Sequence, residues 1–210
     1  GSGKTTFIKL LCRLYDPTKG EILLNGIDIR KYDYQEYMSV FSVVFQDFQL
    51  LDAPLGENIG ASLHYDKARG LECLEKAGLE EWFRTKAVKG LETRLYQHED
   101  ANEGIQISGG EEQKLAIARS LYRDAPFLVL DEPTAALDPM SEYEVYTRLN
   151  DIVEDKTAIY ISHRLSSCRF CDEIAVFHQG QVIEKGSHDE LLARGGKYSE
   201  LWNAQAQYYV

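Results

Sequence analysis

The spacing of apolar residues changes several times along the chain and predicts a series of helices and strands. Between residues 4 and 14, apolar side chains recur on one stripe with a helical period, which predicts a helix. Residues 21–24 are predicted to form a strand, and the Asn25-Gly26 pair that follows is typical of a hairpin turn. Residues 42–45 form a short apolar run that favours a second strand.

The pattern differs between residues 58 and 110. β-Branched runs disappear, and residues 65–77 and 80–86 show helical spacing with polar linkers between them. We interpret residues 58–110 as a helical subdomain inserted into the surrounding domain.

Strand and helix patterns alternate again in the second half of the chain. Such alternation favours an α/β fold with a mainly parallel sheet and helices on both faces. The predicted elements are a helix at 112–122, a strand at 127–130, a helix at 141–153, strands at 158–161, 174–177 and 182–183, and closing helices around 191–192 and 198–207.

Composition narrows the class of protein. The chain has 210 residues, enough for roughly one to one and a half domains, and its 44% hydrophobic and 27% charged residues are ordinary for a globular protein. No apolar run approaches the roughly 20 residues of a membrane-spanning helix, and no signal peptide opens the sequence. The 34 acidic and 23 basic residues give a net charge of −11, which argues against nucleic acid as a partner.

The first residues of the chain match the second half of the phosphate-binding pattern G-x-x-x-x-G-K-[ST]. In that pattern backbone N–H groups and a helix N-terminus surround phosphates, Lys4 reaches the β- and γ-phosphates, and the Thr5 hydroxyl binds Mg²⁺. A flexible linker or a tag remnant is the plainer alternative for such a string, although the helix that begins at Lys4 speaks against it. The candidate phosphate-binding residues are Gly1, Ser2, Gly3, Lys4, Thr5 and Thr6.

Two carboxylates follow the apolar strand at 127–130. Asp131 and Glu132 would lie at the C-terminal edge of a parallel sheet, where ligands bind in open α/β folds. One carboxylate can hold Mg²⁺ and the other can orient or deprotonate an attacking water. A solvated Asp-Glu-Pro turn is the alternative.

A second glycine-containing segment precedes the helix at 112–122. Ser108, Gly109 and Gly110 open onto a helix N-terminus and could form another anion-binding nest, or simply an N-cap.

These elements, in this order, resemble the nucleotide-binding domain of ATP-binding cassette (ABC) proteins over nearly the whole chain. One match alone is weak evidence, but six ordered matches at family-like spacing are strong evidence. Gly1 to Thr5 resemble the end of the Walker A loop, Gln46 the Q-loop glutamine, residues 107–111 the Leu-Ser-Gly-Gly-Gln signature, residues 127–132 Walker B, residues 135–138 the D-loop, and His163 the switch histidine.

The resemblance implies a P-loop NTPase fold of ABC type. Residues 1–57 and 111–210 would form the RecA-like ATP-binding core, with its first strands upstream of residue 1, and residues 58–110 the helical subdomain that ends in the signature. Because that leading strand and the usual adenine-stacking aromatic residue would both lie upstream, we expect this span alone to fold poorly and to bind ATP weakly.

The resemblance also implies an ATPase that uses ATP and Mg²⁺. The roles it implies are catalytic for Lys4, Gln46, Glu132 and His163, nucleotide-binding for Gly1, Ser2, Gly3, Lys4, Thr5, Thr6, Ser108, Gly109, Gly110 and Asp138, and metal-binding for Thr5, Gln46 and Asp131.

The chain end, residues 180–191, is similar to that of exporter-type ABC domains. This implies a motor domain on the cytoplasmic face of a membrane. Its partners would be a transmembrane domain on the same polypeptide and a second nucleotide-binding domain, identical or different, paired head to tail. The alternatives are a soluble ABC ATPase without transport, a non-catalytic regulatory cassette, and an importer-type cassette made as a separate chain.

Three features depart from the family pattern or invite another interpretation. Glu111 replaces the usual signature glutamine, and its carboxylate would either repel the partner's γ-phosphate or, as we favour, point toward the helical subdomain. The stretch 98–104 keeps little of the segment that usually precedes the signature in exporters. Cys168 and Cys171 have the spacing of a zinc or redox motif, but without a second pair they are predicted to be structural thiols.

Overall fold

The computed structural model describes residues 2–96, 104–153 and 156–206, so the predicted departure at 98–104 lies almost wholly outside the described residues. The chain forms two compact units. The first comprises Gly1–Ser39 and Ile161–Val210, and the second comprises Val40–Tyr160.

Helices and strands alternate over much of the chain, as the apolar pattern predicts. The helices are α1 (Lys4–Leu11), α2 (Tyr34–Ser39), α3 (Leu55–Gly60), α4 (Lys67–Lys76), α5 (Glu80–Lys86), α6 (Gly109–Arg123), α7 (Pro139–Ile152), α8 (His188–Arg194) and α9 (Lys197–Ala206). The strands are β1 (Leu23–Leu24), β2 (Ile27–Asp28), β3 (Phe41–Val44), β4 (Phe127–Asp131), β5 (Thr157–Ile161), β6 (Ile174–His178) and β7 (Gln181–Gly186).

A three-stranded sheet in the order β3-β4-β5 forms the centre of the second unit. β3 and β4 run parallel, with Phe41 opposite Phe127 and Val44 opposite Leu130. The β4 side chains from Leu128 to Leu130 are buried, as is usual for a parallel strand covered on both faces. The expectation of an α/β fold with parallel pairing is confirmed here.

The helices of the second unit share one hydrophobic core with this sheet. α6 packs against α3, α4 and β3, and the residues between them are almost fully buried. Helix α5 has the predicted bounds, whereas α4 begins two residues later than predicted because the Asp66 side chain caps it by accepting the Arg69 N–H. The core members include Leu55, Leu74, Leu79, Leu91, Leu95, Leu115 and Ile117. The boundaries 58–110 of the helical subdomain stay a prediction.

Helix α1 of the first unit is shorter than predicted. It ends at Leu11, with Cys12 as the C-cap, instead of continuing to residue 14. Arg13 has a left-handed backbone (φ 52°), and its guanidinium donates to the carbonyls of Arg30 and Tyr32. The chain therefore reverses direction after Leu11, although the apolar spacing that predicts the helix continues to residue 14.

Two hairpin turns are present in the first unit, and the one at Asn25-Gly26 is the turn that the sequence predicts. Asn25 and Gly26 have φ of 52° and 77° between the antiparallel strands β1 and β2, which is the type I′ geometry. Gln179 and Gly180, at 48° and 77°, join the antiparallel pair β6 and β7 in the same way.

The first unit has a small core around Ile174, Leu191 and Tyr198, and Cys168 and Cys171 pack against it. Burial raises the pKa of the Cys168 thiol to about 11 and that of Cys171 to about 12, so both stay protonated at neutral pH. Their burial and raised pKa values agree with the prediction that both residues are structural thiols. Within the described residues, no group of three or more His, Cys, Asp or Glu side chains is arranged to hold a metal ion.

The helices in the part of the chain that the structure describes are short, and the longest of them, α6, has 15 residues. No helix there is both long enough and apolar enough to cross a bilayer.

A buried amide organises the segment that connects β3 to α3. Asn58 is 2% exposed. Its Oδ1 accepts from the Leu51 N–H at 2.8 Å and from Arg119 of α6 at 3.0 Å, and its Nδ2 donates to the Leu51 and Ala53 carbonyls at 2.9 and 3.1 Å. One side chain therefore fixes the path of residues 51–58 and ties it to α6.

We predict that Asn58→Ala lowers the free energy of unfolding by about 2–3 kcal/mol, because it leaves buried backbone groups and the Arg119 guanidinium without this partner. Urea denaturation of the intact protein measures the effect. Asn150→Ala, at an exposed position of α7, is the matched control and should change the free energy by less than about 0.5 kcal/mol. Equal effects of the two substitutions would contradict the role of the Asn58 amide.

Candidate functional site

The predicted phosphate-binding segment lies at the start of α1, in the first unit. Gly1 lies outside the described residues; Ser2 and Gly3 precede the helix, and Lys4, Thr5 and Thr6 form its first turn. Gly3 is the N-cap with φ 96°; no side chain caps the helix and the first turn contains no acidic residue. The first backbone N–H groups and the positive end of the helix dipole are thus directed to a place where an anion would be stabilised.

The turn between β6 and β7 supports this segment. The Gly180 N–H donates to the Ser2 carbonyl at 3.0 Å, and a Cβ at Gly3 would lie 3.1 Å from the Gly180 Cα. The left-handed φ and the close approach together require glycine at position 3. The Lys4 ammonium donates to the Ser2 hydroxyl at 3.2 Å, so it lies close to the segment that precedes α1.

His163 belongs to the same unit and follows β5 by two residues. Its side chain is exposed, and a short 3₁₀-helix, Leu165–Phe170, begins just after it. The structure therefore places the predicted switch histidine on a loop rather than within the sheet.

The two predicted catalytic carboxylates lie at the C-terminal end of β4, in the second unit. Asp131 is the last residue of the strand and is 2% exposed. Glu132 is half-buried and has φ 54°, a left-handed conformation that is uncommon for a glutamate. Backbone strain of this kind concentrates at functional sites, where surrounding structure holds it.

Gln46 emerges from the same edge of this sheet. It is exposed and lies two residues beyond Val44, the end of β3. Because Val44 is paired with Leu130 of the parallel strand β4, the chain segments that carry Gln46 and Asp131 leave adjacent strands at the same end. The structure thus brings these two predicted metal-binding residues to one sheet edge.

The signature segment forms the first turn of α6, which begins at Gly109, three residues earlier than predicted. The cause is a capping box, in which the Ser108 hydroxyl accepts the Glu111 N–H at 3.3 Å and the Glu111 carboxylate accepts the Ser108 N–H at 2.7 Å. A Cβ on Gly110 would lie 3.0 Å from the Leu137 side chain, so this glycine permits the D-loop to pack closely against α6.

Glu111 points toward α5, which confirms the orientation that the sequence analysis favours. Its second carboxylate oxygen pairs with the Lys86 ammonium at 2.8 Å. Partial burial on its own would raise the pKa of Glu111, but the hydrogen bonds from Lys86 and Ser108 outweigh it and hold the pKa below its ordinary value. The carboxylate is therefore ionised at neutral pH and held by groups of its own chain.

Asp138, which resemblance identifies as a nucleotide contact, caps α7. Its Oδ1 accepts the N–H groups of Met140 and Ser141 at 3.0 and 3.1 Å. The hydrogen bonds from Ser141, and then from Met140, lower the pKa of this carboxyl. A direct contact of Asp138 with nucleotide stays a prediction.

The sequence analysis did not predict a contact that the structure shows between the signature helix and the D-loop. Gln113 is buried on α6, and its Oε1 accepts the N–H of Ala136 in the D-loop at 3.1 Å. The signature helix and the D-loop are thus joined by a side chain that lies in neither motif. The available signal was a polar residue at a buried position of α6, and Ser120 is a second such residue on the same helix.

Comparisons with known proteins agree with these features. The family model described as "ABC transporter" matches residues 1–135. The ATP-dependent lipid A-core flippase of Burkholderia orbicola (strain AU 1054) is 41% identical over 207 residues, which are 99% of this chain and 34% of the relative. ABC transporter B family member 28 of Arabidopsis thaliana is 38% identical over 208 residues, which are 98% of this chain and 28% of the relative.

A solved structure gives the same result. A bacterial Atm1-family ABC exporter with ATP bound superposes with a TM-score of 0.88 and 34% identity, covering 98% of this chain and 35% of that one. The chain therefore spans about a third of the length of the relatives it matches. The resemblance given by the motifs is confirmed: this chain belongs to the ABC transporter family and has the fold of an ABC exporter's nucleotide-binding domain.

Proposed function

We propose that this chain is the ATP-hydrolysing motor domain of an ABC exporter. In this proposal, ATP drives head-to-tail pairing with a second nucleotide-binding domain, and that pairing powers substrate export through a transmembrane domain. The observation that carries the hydrolytic part is the carboxylate pair at the end of β4, where Asp131 is buried and Glu132 is held in a left-handed conformation. Membership of the ABC transporter family supports the ATP-binding part.

The start of α1 would hold the triphosphate. Its N–H groups lack a side-chain cap, so they can donate to phosphate oxygens, and the Lys4 ammonium can add a charge-assisted hydrogen bond to the outer phosphates. The same first turn carries the exposed hydroxyls of Thr5 and Thr6. The global charge of −11 does not oppose this, because the anion meets local donors.

The donor set fits Mg²⁺, which prefers hard oxygen ligands. The Thr5 hydroxyl, the Gln46 amide oxygen and the Asp131 carboxylate supply such oxygens, and we propose that they hold the ion directly or through its waters. When bound, Mg²⁺ would neutralise charge that develops on the phosphates.

We assign the proton chemistry to Glu132. Its carboxylate would orient the attacking water and accept its proton, while His163 would contact the γ-phosphate and Gln46 would help to position the water. Ser108, Gly109 and Gly110 of the paired domain would close over the same nucleotide. Because this chemistry consists mostly of positioning and charge stabilisation, the loss of one group should cost orders of magnitude in rate.

The relatives support the exporter setting. The Burkholderia relative is named a flippase and the matching structure is an ABC exporter, and each is about three times as long as this chain. We therefore propose that the domain works on the cytoplasmic face of a membrane beside the transmembrane part of its transporter.

We predict that Glu132→Gln lowers the ATP hydrolysis rate of the intact protein by about 10²- to 10⁴-fold, because the amide cannot accept the proton. ATP binding should be retained and the ATP-bound pair should persist, as measured by ATP affinity and by cross-linking. Glu144→Gln, an exposed carboxylate on α7, is the matched control and should hydrolyse ATP at the wild-type rate. Hydrolysis by Glu132→Gln near the wild-type rate would rule out the role of Glu132.

A second prediction concerns the signature. Glu111→Gln should leave the ATPase rate within about twofold of wild type, because glutamine can keep the capping box and the carboxylate it replaces faces Lys86. Phosphate release from the intact protein measures this. A several-fold rise in rate would instead show that the carboxylate repels the γ-phosphate.

A further inference from the structure

The tail helix α9 makes a direct contact with the loop that carries His163. The Gln205 side chain of α9 donates through Nε2 to the His163 carbonyl at 2.7 Å. Through Oε1 it accepts the Leu165 N–H at 2.9 Å. One side chain thus bonds the backbone on both sides of Arg164.

The polarity of these two bonds fixes the orientation of the Gln205 amide. If the amide were flipped, its NH₂ would face the Leu165 N–H and its oxygen would face the His163 carbonyl, and both bonds would be lost. The pair of bonds also fixes the direction of the backbone through residues 163–165. Because a side chain projects from its backbone, the position of the His163 imidazole depends on this clamp.

The loop also has local hydrogen bonds. The Ser162 hydroxyl accepts the Arg164 N–H at 2.9 Å, and the Ser167 hydroxyl donates to the Arg164 carbonyl at 2.6 Å. Such bonds shape the turn, whereas Gln205 ties it to a helix about 40 residues away in sequence.

Helix α9 is itself well anchored. The Glu184 carboxylate of β7 accepts the N–H groups of Lys197 and Tyr198 at 2.9 and 2.8 Å, at the start of the helix. Tyr198 is buried in the core of this unit, and Trp202 packs against that core. Gln205 lies about two helical turns beyond Tyr198 and one turn beyond Trp202, on the same face of the helix. Its side chain is therefore presented from a rigid support.

We propose that Gln205 is a positioning residue for the hydrolytic step, acting through His163. The inference rests on the role proposed for His163 and adds a second residue, on a separate element, that sets the geometry of that role. The hydrogen-bonded clamp would keep the imidazole in place without touching nucleotide. Removal of the clamp should therefore lower turnover rather than ATP binding.

The test compares steady-state and single-turnover ATP hydrolysis of the intact protein for Gln205→Ala, Gln205→Glu, His163→Ala and the two double variants. We expect each Gln205 variant to lower kcat by about three- to tenfold, the range for one or two lost hydrogen bonds, with KM for ATP within twofold of wild type. Gln205→Glu is informative because it keeps the acceptor for Leu165 but sets an oxygen against the His163 carbonyl. Asn203→Ala, at an exposed position of the same helix, should leave kcat unchanged.

The double variants separate positioning from a merely structural effect. In the His163→Ala background, with radiolabelled ATP to detect slow release, the Gln205 substitutions should produce no further loss, because residues that act as a unit are non-additive. An equal loss in both backgrounds, an unchanged kcat, or a raised KM would overturn the role of Gln205. An unimpaired His163→Ala would instead overturn the proposed role of His163, so the two failures are distinguishable.

Discussion

The proposed chemistry depends on the first N–H groups of α1, which no side chain caps. A helix leaves its first N–H groups without intrahelical partners, and something must accept them. α4, α6 and α7 use the side chains of Asp66, Ser108 and Asp138 for this purpose. α1 begins instead with Gly3 and has no acidic residue in its first turn. Its donors and its dipole are thus available to phosphate, while Lys4 adds a full positive charge.

The second unit places its chemistry by strand pairing. Because β3 and β4 are parallel and in register, Gln46, Asp131 and Glu132 leave the sheet at one edge, and the left-handed turn at Glu132 redirects the chain there. The neighbouring motifs are joined to one another by buried contacts: Gly110 packs against Leu137, and Gln113 accepts the Ala136 N–H. A disturbance at the signature would therefore reach the D-loop through packed atoms.

The sequence predicted what depends on local pattern and missed what depends on contacts between distant residues. The β3, β4 and β5 strands and the Asn25-Gly26 turn follow from apolar runs and turn chemistry. The premature end of α1 depends on the Arg13 reversal, and the early start of α6 on a reciprocal cap between Ser108 and Glu111. α3 was missed because two of its six residues are glycines. The Gln205 clamp joins positions about 40 residues apart, so no local pattern indicates it.

The most direct measurement of the central claim is Mg²⁺-dependent phosphate release from ATP by the intact protein in lipid, compared between Lys4→Ala and Lys9→Ala. Both lysines lie on α1, but only Lys4 lies in its first turn. We predict that hydrolysis requires Mg²⁺. Lys4→Ala should lose both ATP binding and hydrolysis, whereas Lys9→Ala should hydrolyse ATP at the wild-type rate. Equal hydrolysis by the two variants, or hydrolysis without Mg²⁺, would contradict it.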